Sequence, residues 1–558
     1  MAKKATTAEK PRTYRNVIAA ALVAQIALVV VTIAQRVVFP HDIEWMAGSV
    51  LDHAERLRNG LPIYTEPTAS WIPFLYPPLY PKLVALLGGS AIAGRLLSLA
   101  CAGVQVECVR RITRDLGAPR FWQLAGGALV VACYGYVGWW YDLERSDTLL
   151  GALVMVACAV LVRAPKDDRA AAIDAVSAGA VLGIAFFAKQ QAVFYIGGAA
   201  VGLALASHVD RERSLKLHPA LLLATVAAIV IPLVRWSDAT SNGWFSYYVL
   251  TMPRAHGILW AAAPDVFPHD VGRGFALYGA TLAVMFMTVR ALRKGQPISR
   301  GQAVFASMLA AGFAGAIASR LHGGGWFNVL QPWTALACAA VALVAVRAEV
   351  HKYRTAMEMA VVAQVALWAY NPLDVTPTSE LSAGTIAFHR MIGELEARGD
   401  VLVVGRGHLT RARHFQMSAL ADVARVDGHS PPSLVQALEE RRFAAIVDDV
   451  RLPGRYRMEH WPAIMLEDVD DLRAPLLANY FVARRVPRDQ AELPMRAPAS
   501  QQAVYLPRQS PLPQGDLAAL KKRQVVEAEL AKQRSRALLE GLPEPFPEAE
   551  IERLAAPR

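Results

Sequence analysis

The chain has 558 residues, 54% of them hydrophobic, and its 58 basic against 47 acidic residues give a formal net charge of +11. That apolar share exceeds the roughly 45–50% of a soluble domain, and the excess gathers as long runs in the first two thirds of the chain. The basic residues fall mostly in short connections between these runs and in the polar C-terminal part, a placement that fits membrane orientation and argues against nucleic acid as the partner.

The first apolar run, Val17 to Phe39, follows Lys3, Lys4, Lys10, Arg12 and Arg15 and ends in Val-Val-Phe-Pro. It is too long, and lacks the small-residue cleavage site, for a signal peptide, so it reads as an uncleaved first span. Further runs near 91–109, 121–139, 147–163, 171–188, 190–206, 218–235, 272–290, 302–319, 328–346 and 355–371 bring the total to about eleven transmembrane helices. The pair around Lys189 is tight enough to be misdivided. One alternating set of connections holds the basic N-terminus, Arg110-Arg111 with Arg114, Arg163 with Lys166 and Arg169, Arg211 to Lys216, Arg290 to Lys294, and Arg347 to Arg354. The other set holds 40–90, Tyr141 to Ser146, Lys189, 236–271 and Arg320 to Phe327. The first is richer in Lys and Arg and is therefore expected to be cytoplasmic. Parity then puts everything after 371 on the outer, periplasmic side of the inner (plasma) membrane.

Beyond 371 the apolar runs shorten. Val401 to Val404 and Ala444 to Val447 read as buried strands among helical patterns such as Ser433 to Arg441. The expected fold class is an α-helical polytopic membrane protein with a small C-terminal α/β soluble domain. Its parts are a membrane domain over 1–371 with a first outer loop 40–90, an outer α/β domain over 372–506, and a polar helical tail over 507–558 with an amphipathic helix near Asp516 to Leu539. Gly405-Arg406-Gly407 follows a strand but lacks the third glycine of a dinucleotide fingerprint. The five cysteines, Cys101, Cys108, Cys133, Cys158 and Cys338, lie in or beside apolar runs and predict neither a disulfide framework nor a zinc motif.

Charges kept at a membrane boundary are costly and mark functional candidates. Five polar clusters share the outer set of connections. His41-Asp42-Ile43-Glu44-Trp45 supplies two carboxylates, one of which can act as a general base in a low-dielectric setting; the plainer alternative is a solvated helix start with Asp42 as its cap. The same loop carries Asn59 to Tyr64 and Phe74-Leu75-Tyr76-Pro77-Pro78-Leu79-Tyr80-Pro81, read as interfacial segments that anchor the chain or line a groove. Tyr141 to Asp147, Lys189-Gln190-Gln191 and Arg320 to Asn328 complete the set. The glycines between His322 and Trp326 allow backbone amides to approach a phosphate. A structural role stays open for each cluster alone; their convergence on one face favours a site.

In their order and sidedness these motifs resemble the GT-C superfamily of polytopic glycosyltransferases, and in particular the family 39 group of protein O-mannosyltransferases and bacterial aminoarabinose transferases. The resemblance rests on Asp42 and Glu44 after span one, Gly60-x-Pro62-x-Tyr64, Tyr76-Pro77-Pro78-Leu79-Tyr80, Gly94-Arg95-Leu96-Leu97-Ser98, Arg145-Ser146-Asp147, Lys189-Gln190-Gln191 and Gly323 to Asn328. It implies an inverting transfer of a sugar from a polyprenyl-phosphate-linked donor to a hydroxyl of a lipid, glycan or protein acceptor on the outer side. Asp42 would deprotonate that hydroxyl, with Glu44 the competing candidate or a helper. Arg145 and Lys189 would neutralise the departing phosphate, and Tyr76, Asp147, Gln190, His322 and Asn328 are further substrate-binding candidates. The resemblance implies no fixed cofactor; a divalent ion shared by Asp42 and Asp147 stays open. Some relatives carry an acid just before the loop glycine, where Ala47-Gly48 stands here, which leaves the base to be chosen. The rival reading is a membrane transporter or lipid flippase, but such proteins place essential charges near the midplane and often show paired halves. A membrane scaffold with a partner-binding outer domain is the remaining alternative.

Overall fold

The computed structural model describes residues 10–556 apart from 45, 211–216, 350–352, 405–412, 416, 450–465, 487–492, 496–501, 540–541 and 549. Each predicted span coincides with a helix. In chain order these are α1 (Lys10–Val37), then α2 (Ala47–Arg58) and α3 (Leu79–Leu86) in the first loop, α4 (Ala91–Asp115), α5 (Arg120–Ala132), α6 (Ser146–Val162), α7 (Asp168–Phe186), α8 (Ala192–Asp210) and α9 (His218–Thr240). The short α10 (Trp244–Ser246) and α11 (Met252–Ala255) and the helix α12 (Ala263–Arg273) fill the next long loop, followed by α13 (Phe275–Arg293), α14 (Arg300–Leu321), α15 (Gln331–Glu349) and α16 (Arg354–Leu367).

Among the described residues, α1, α4, α7, α9, α13, α14 and the stretch Phe327–Ala348 around α15 are long and apolar enough to cross a bilayer, and α6, α8 and α16 are shorter apolar helices. The eleventh, α5, is continued by a 3₁₀ turn, Cys133–Gly135. The chain is a multi-pass membrane protein. Val23 and Val30 on α1, Ile173 and Ile184 on α7, Ile231 on α9 and Phe286 on α13 are exposed, as a lipid-facing surface requires.

In lipid, helices associate by close backbone packing rather than by the hydrophobic effect, so small residues gather at their contacts. Gly198 and Gly202 bring α8 onto α14: a methyl group at Gly202 would lie 2.5 Å from Val304 Cα, and one at Gly198 would lie 2.8 Å from Ala311 Cβ. Gly179 does the same between α7 and α9, where a methyl would meet the Leu222 carbonyl oxygen at 2.7 Å.

The C-terminal part starts with α17 (Ser379–Glu396) and builds a five-stranded sheet from β1 (Val401–Val404), β2 (Arg413–Phe415), β3 (Ala445–Asp449), β4 (Tyr480–Arg485) and β5 (Gln502–Pro507), in the order β2-β1-β3-β5-β4. The β1 strand is parallel to β2 and β3, whereas β5 is antiparallel to β3 and β4. Because side chains alternate across a strand, Val401 and Val403 of β1 pack with Phe388, Met391 and Ile392 of α17, while Leu402 and Val404 join the core on the other face. The remaining helices are α18 (Met417–Asp427), α19 (Pro432–Glu439) and α20 (Asp470–Asn479), and the helix Leu517–Leu539 packs against β4. Arg508 and Glu527 form a buried pair at 2.8 Å that ties this last helix to the sheet. Gly405-Arg406-Gly407 lies outside the described residues.

The soluble part rests on the connections that the charge pattern assigns to a single side. The Ala69 amide donates to Ser433 Oγ at 3.0 Å, the Tyr247 hydroxyl donates to Asp427 at 2.7 Å, and His256 pairs with Asp422 at 2.5 Å. The Met495 amide donates to the Ile43 carbonyl at 3.0 Å, and the His41 ring stands 4.7 Å from that of His389 on α17. The first acidic segment therefore lies between the bundle and the soluble domain.

Candidate active site

The site is assembled by the start of α4. Arg95, one turn into that helix, donates to the carbonyl oxygens of Arg36 (3.0 Å), Phe39 and His41 (2.7 Å), and its Nε pairs with Glu144 at 2.7 Å. One guanidinium thus terminates α1, folds residues 38–41 and holds the 141–147 loop. Gly94 lets that loop approach, since a methyl there would lie 2.9 Å from Glu144 Cγ. Ser98 donates to the Leu143 carbonyl at 2.6 Å, and the Tyr80 hydroxyl joins Ser98 to the Gly94 carbonyl, both at 2.8 Å. Arg36, in the last turn of α1, pairs with Asp142 at 3.0 Å, and the Tyr134 hydroxyl donates to the same carboxylate at 2.7 Å. Burial raises the Asp142 and Glu144 carboxyls, and their arginine partners oppose the rise.

With Asp142 and Glu144 engaged in this way, the next residues of the loop face a separate cluster. Arg145 is buried with its guanidinium 4.9 Å from the centre of the Trp140 ring and 5.4 Å from that of Tyr76. Its Nη1 lies 3.6 Å from Glu44 Oε2, and its Nη2 donates to the Tyr76 hydroxyl at 3.3 Å. Lys189, at the break between α7 and α8, pairs with Asp147 in the first turn of α6, and Asn328 Nδ2 donates to the same carboxylate oxygen at 2.9 Å. The Lys189 ammonium also stands 5.2 Å from the Tyr76 ring centre. Two cations therefore stand close to the Tyr76 ring, in a buried setting where low dielectric strengthens every charge.

Several buried atoms here have no well-formed hydrogen bond among the described residues: both oxygens of Glu44, Nη1 of Arg145, Oδ2 of Asp147 and Oγ of Ser146. Such atoms are rare in folded interiors, and each calls for a partner such as an ordered water, an ion or a ligand. Burial pushes the Glu44 carboxyl up to about 7, with Arg145 first among the groups that pull it back. Asp42, two residues earlier, is only half-buried. Burial, helped by Arg95, lowers His41 from its ordinary value.

The structure thus brings Glu44, Tyr76, Arg145, Asp147, Lys189 and Asn328 together. Two other predicted residues stand apart in their contacts. Gln190 Nε2 donates to the Leu75 and Val249 carbonyls at 2.6 and 2.9 Å, so its amide braces the loop that presents Tyr76. His322 meets the Pro253 carbonyl at 3.0 Å, and its ring lies 4.9 Å from that of His256 at a 45° tilt, towards the joint with the soluble domain. Arg36, Arg95, Asp142 and Glu144 were not foreseen as a frame for the site. The signal available was the run of charges at 142, 144, 145 and 147 beside an arginine in the Gly94 motif. Among the described residues no three His, Cys, Asp or Glu side chains are grouped to hold a metal ion. Asp147, one of the two residues considered for one, has Lys189 and Asn328 on its Oδ1. An ammonium and an amide N–H on this carboxylate are a donor set that does not fit a divalent ion.

Helices of this number and order, with a paired-cation cluster at one membrane boundary, define a class of polytopic membrane protein. Residues 73–236 match the family model described as dolichyl-phosphate-mannose-protein mannosyltransferase. That stretch contains Tyr76, Arg145, Asp147 and Lys189 but not Asp42 or Glu44. The fold is similar to ArnT from Cupriavidus metallidurans bound to undecaprenyl phosphate, at 14% identity and a TM-score of 0.52, covering 88% of this chain and 97% of that one. The same enzyme in the apo state gives 14% identity and a TM-score of 0.51, covering 87% and 97%. The Archaeoglobus fulgidus oligosaccharyltransferase tethered to an acceptor peptide gives 11% identity and a TM-score of 0.50, covering 85% of this chain and 72% of that one. A comparison with curated protein sequences finds no match. The likeness to these structures is one of fold, and the family model matches residues 73–236 within it.

Proposed function

We propose that the protein is an inverting glycosyltransferase that moves a sugar from a polyprenyl-phosphate donor to an acceptor hydroxyl on the outer side of the membrane. The observation that carries this reading is the buried pair of cations, Arg145 and Lys189, close to the Tyr76 ring where α6 and α8 begin. Its support from outside the chain is the similar fold whose crystal structure holds undecaprenyl phosphate. The lysine- and arginine-rich connections lie at the other end of the bundle, which supports an outward-facing site and soluble domain.

In this reading Asp42 takes the proton of the acceptor hydroxyl as its oxygen forms a bond to the anomeric carbon. The bond from that carbon to the phosphate oxygen breaks in the same displacement, and the electron pair leaves with the polyprenyl phosphate. Arg145 and Lys189 stabilise the charge that grows on the leaving oxygen, where fixed cations in a dry site act most strongly. Asp42 is preferred as the base because it is half-buried and can meet an acceptor, whereas Glu44 is enclosed with 4% of its side chain exposed and faces Arg145. Glu44 would hold that guanidinium in place until the phosphate arrives. Asn328 and Asp147 orient the Lys189 ammonium.

The test is transfer from radiolabelled polyprenyl-phosphate sugars by purified protein in membranes, with the anomeric configuration of the product read by NMR. Label leaving the lipid with inverted configuration is the expected result. A retained configuration would overturn the single displacement. Movement of intact labelled lipid between leaflets without sugar release would establish the flippase alternative instead.

A further inference from the structure

At the end of the bundle away from the site, the turn between α4 and α5 and the helices α13, α14 and α15 enclose a cavity of about 270 Å³. The Phe327–Leu330 turn that opens α15 brings Asn328 to the site, and the last turn of α15 brings Arg347 to the cavity. At about 1.5 Å per residue this spans close to a bilayer thickness, so the two places lie at opposite membrane boundaries. Met287, Phe305 and Leu343 give the cavity an apolar wall, while Gln296 and Arg347 give it a polar one. Among the described residues Arg347 Nη1 meets a sulfur, Met287 Sδ at 3.8 Å.

The surroundings are rich in cations. Arg290 and Arg293 stand in the last turn of α13, followed by Lys294. Among the residues whose side chains are described, no carboxylate pairs with these three or with Arg347. The contrast is with the neighbouring α4, where Arg110 and Arg111 share Glu107 and Arg114 meets Asp115. On its outer face α13 exposes Leu282, Phe286 and Val289, so the cavity adjoins a surface that lipid covers. A part-apolar cavity lined by a guanidinium and set among cations at a membrane boundary selects an amphipathic anion.

We propose that this cavity binds the headgroup region of an anionic phospholipid from the leaflet opposite the active site. Arg347 meets the phosphate, and the α13–α14–α15 wall takes the first carbons of the acyl chains. Basic pockets between spans at such a boundary are suited to acidic headgroups, each nearby cation strengthening binding by about fivefold.

The experiment uses the full-length protein in nanodiscs of phosphatidylcholine with phosphatidylglycerol, released into mild detergent and weighed with its bound lipids by native mass spectrometry. Wild type is expected to retain phosphatidylglycerol in preference to phosphatidylcholine, and millimolar inorganic phosphate is expected not to displace it. Arg347→Gln, at an exposed position, should lower the retained anionic lipid about fivefold with an unchanged melting temperature. Ala291→Trp, which fills the cavity while leaving Arg347, should lower retention of both lipids there. Equal retention of the two lipids by wild type, displacement by inorganic phosphate, or unchanged retention in Arg347→Gln would each overturn the proposal.

Discussion

Arg95 and Glu144 meet at 2.7 Å with side chains 0% and 1% exposed, and the same guanidinium binds the backbone at the end of α1. Two segments far apart in sequence, 36–44 and 141–147, are held in one place by this pair. Breaking a buried pair from one side leaves an uncompensated charge and costs about 3–5 kcal/mol. Arg95→Ala is therefore expected to lower the melting temperature sharply and to abolish activity. The double variant Arg95→Met with Glu144→Met should recover much of the stability, because both desolvated charges go together, yet little activity, because the backbone bonds to Phe39 and His41 are lost. Equal melting temperatures for wild type and Arg95→Ala would contradict the framing role.

Asp42→Asn keeps the size of the side chain and removes its basicity. Loss of a general base lowers rate by roughly 10²–10⁴-fold, and this is the expected fall in kcat, with folding unchanged. The measurement is a transfer assay beside a thermal melt. Full activity in a folded Asp42→Asn protein would move the base assignment to Glu44.

Glu44 gives a pH signature. Its carboxyl, ordinarily near 4.5, is raised to about 7 by burial. Between those values the folded protein holds a proton that the unfolded chain has released. Stability from this group is thus complete below the ordinary value and is lost as pH rises through 7, by about 3 kcal/mol in all. Glu44→Gln resembles the protonated form, so its melting temperature relative to wild type should climb between pH 5 and pH 8. A gap that stays constant across that range would refute the assignment.

Lys189 serves Asp147 and, in the proposed function, the donor phosphate. Lys189→Met should reduce kcat/KM for the lipid donor by about 10²–10³-fold, the scale seen when one fixed stabilising group is removed. It also leaves Asp147 buried beside Arg145 and Asn328 alone, so part of the loss is structural. Adding Asp147→Asn should restore the melting temperature without restoring donor use. Recovery of both together would reduce Lys189 to a structural partner.

Much of the architecture was legible in the chain. Hydropathy is a local property, and the eleven apolar runs predict helices that the structure contains, including the tight division at Lys189 into α7 and α8. Val401–Val404 was readable as a strand for the same reason, since four apolar residues in a polar region need burial on both faces. Loop charge was enough to group the polar clusters on one side, and the soluble domain contacts loops from that same set.

What only the tertiary structure decided is the use of each charge. The run Asp142-Leu143-Glu144-Arg145-Ser146-Asp147 offers four ionisable groups with no sequence rule to rank them. Arg36 and Arg95 arrive from other helices and engage the first two, which leaves Arg145 and Asp147 for the cluster around Tyr76. Gln190 and His322 have side chains as suitable for a ligand as Asn328, but the Leu75 and Val249 carbonyls take the Gln190 amide nitrogen and the Pro253 carbonyl meets a His322 ring nitrogen. In a low-dielectric interior a charge must find its partner or change its state, and that partner is set by which helices pack together, not by residue type. Residue type and periodicity determined the elements and the side on which chemistry gathers; three-dimensional packing determined which carboxylates hold the frame and which face the site.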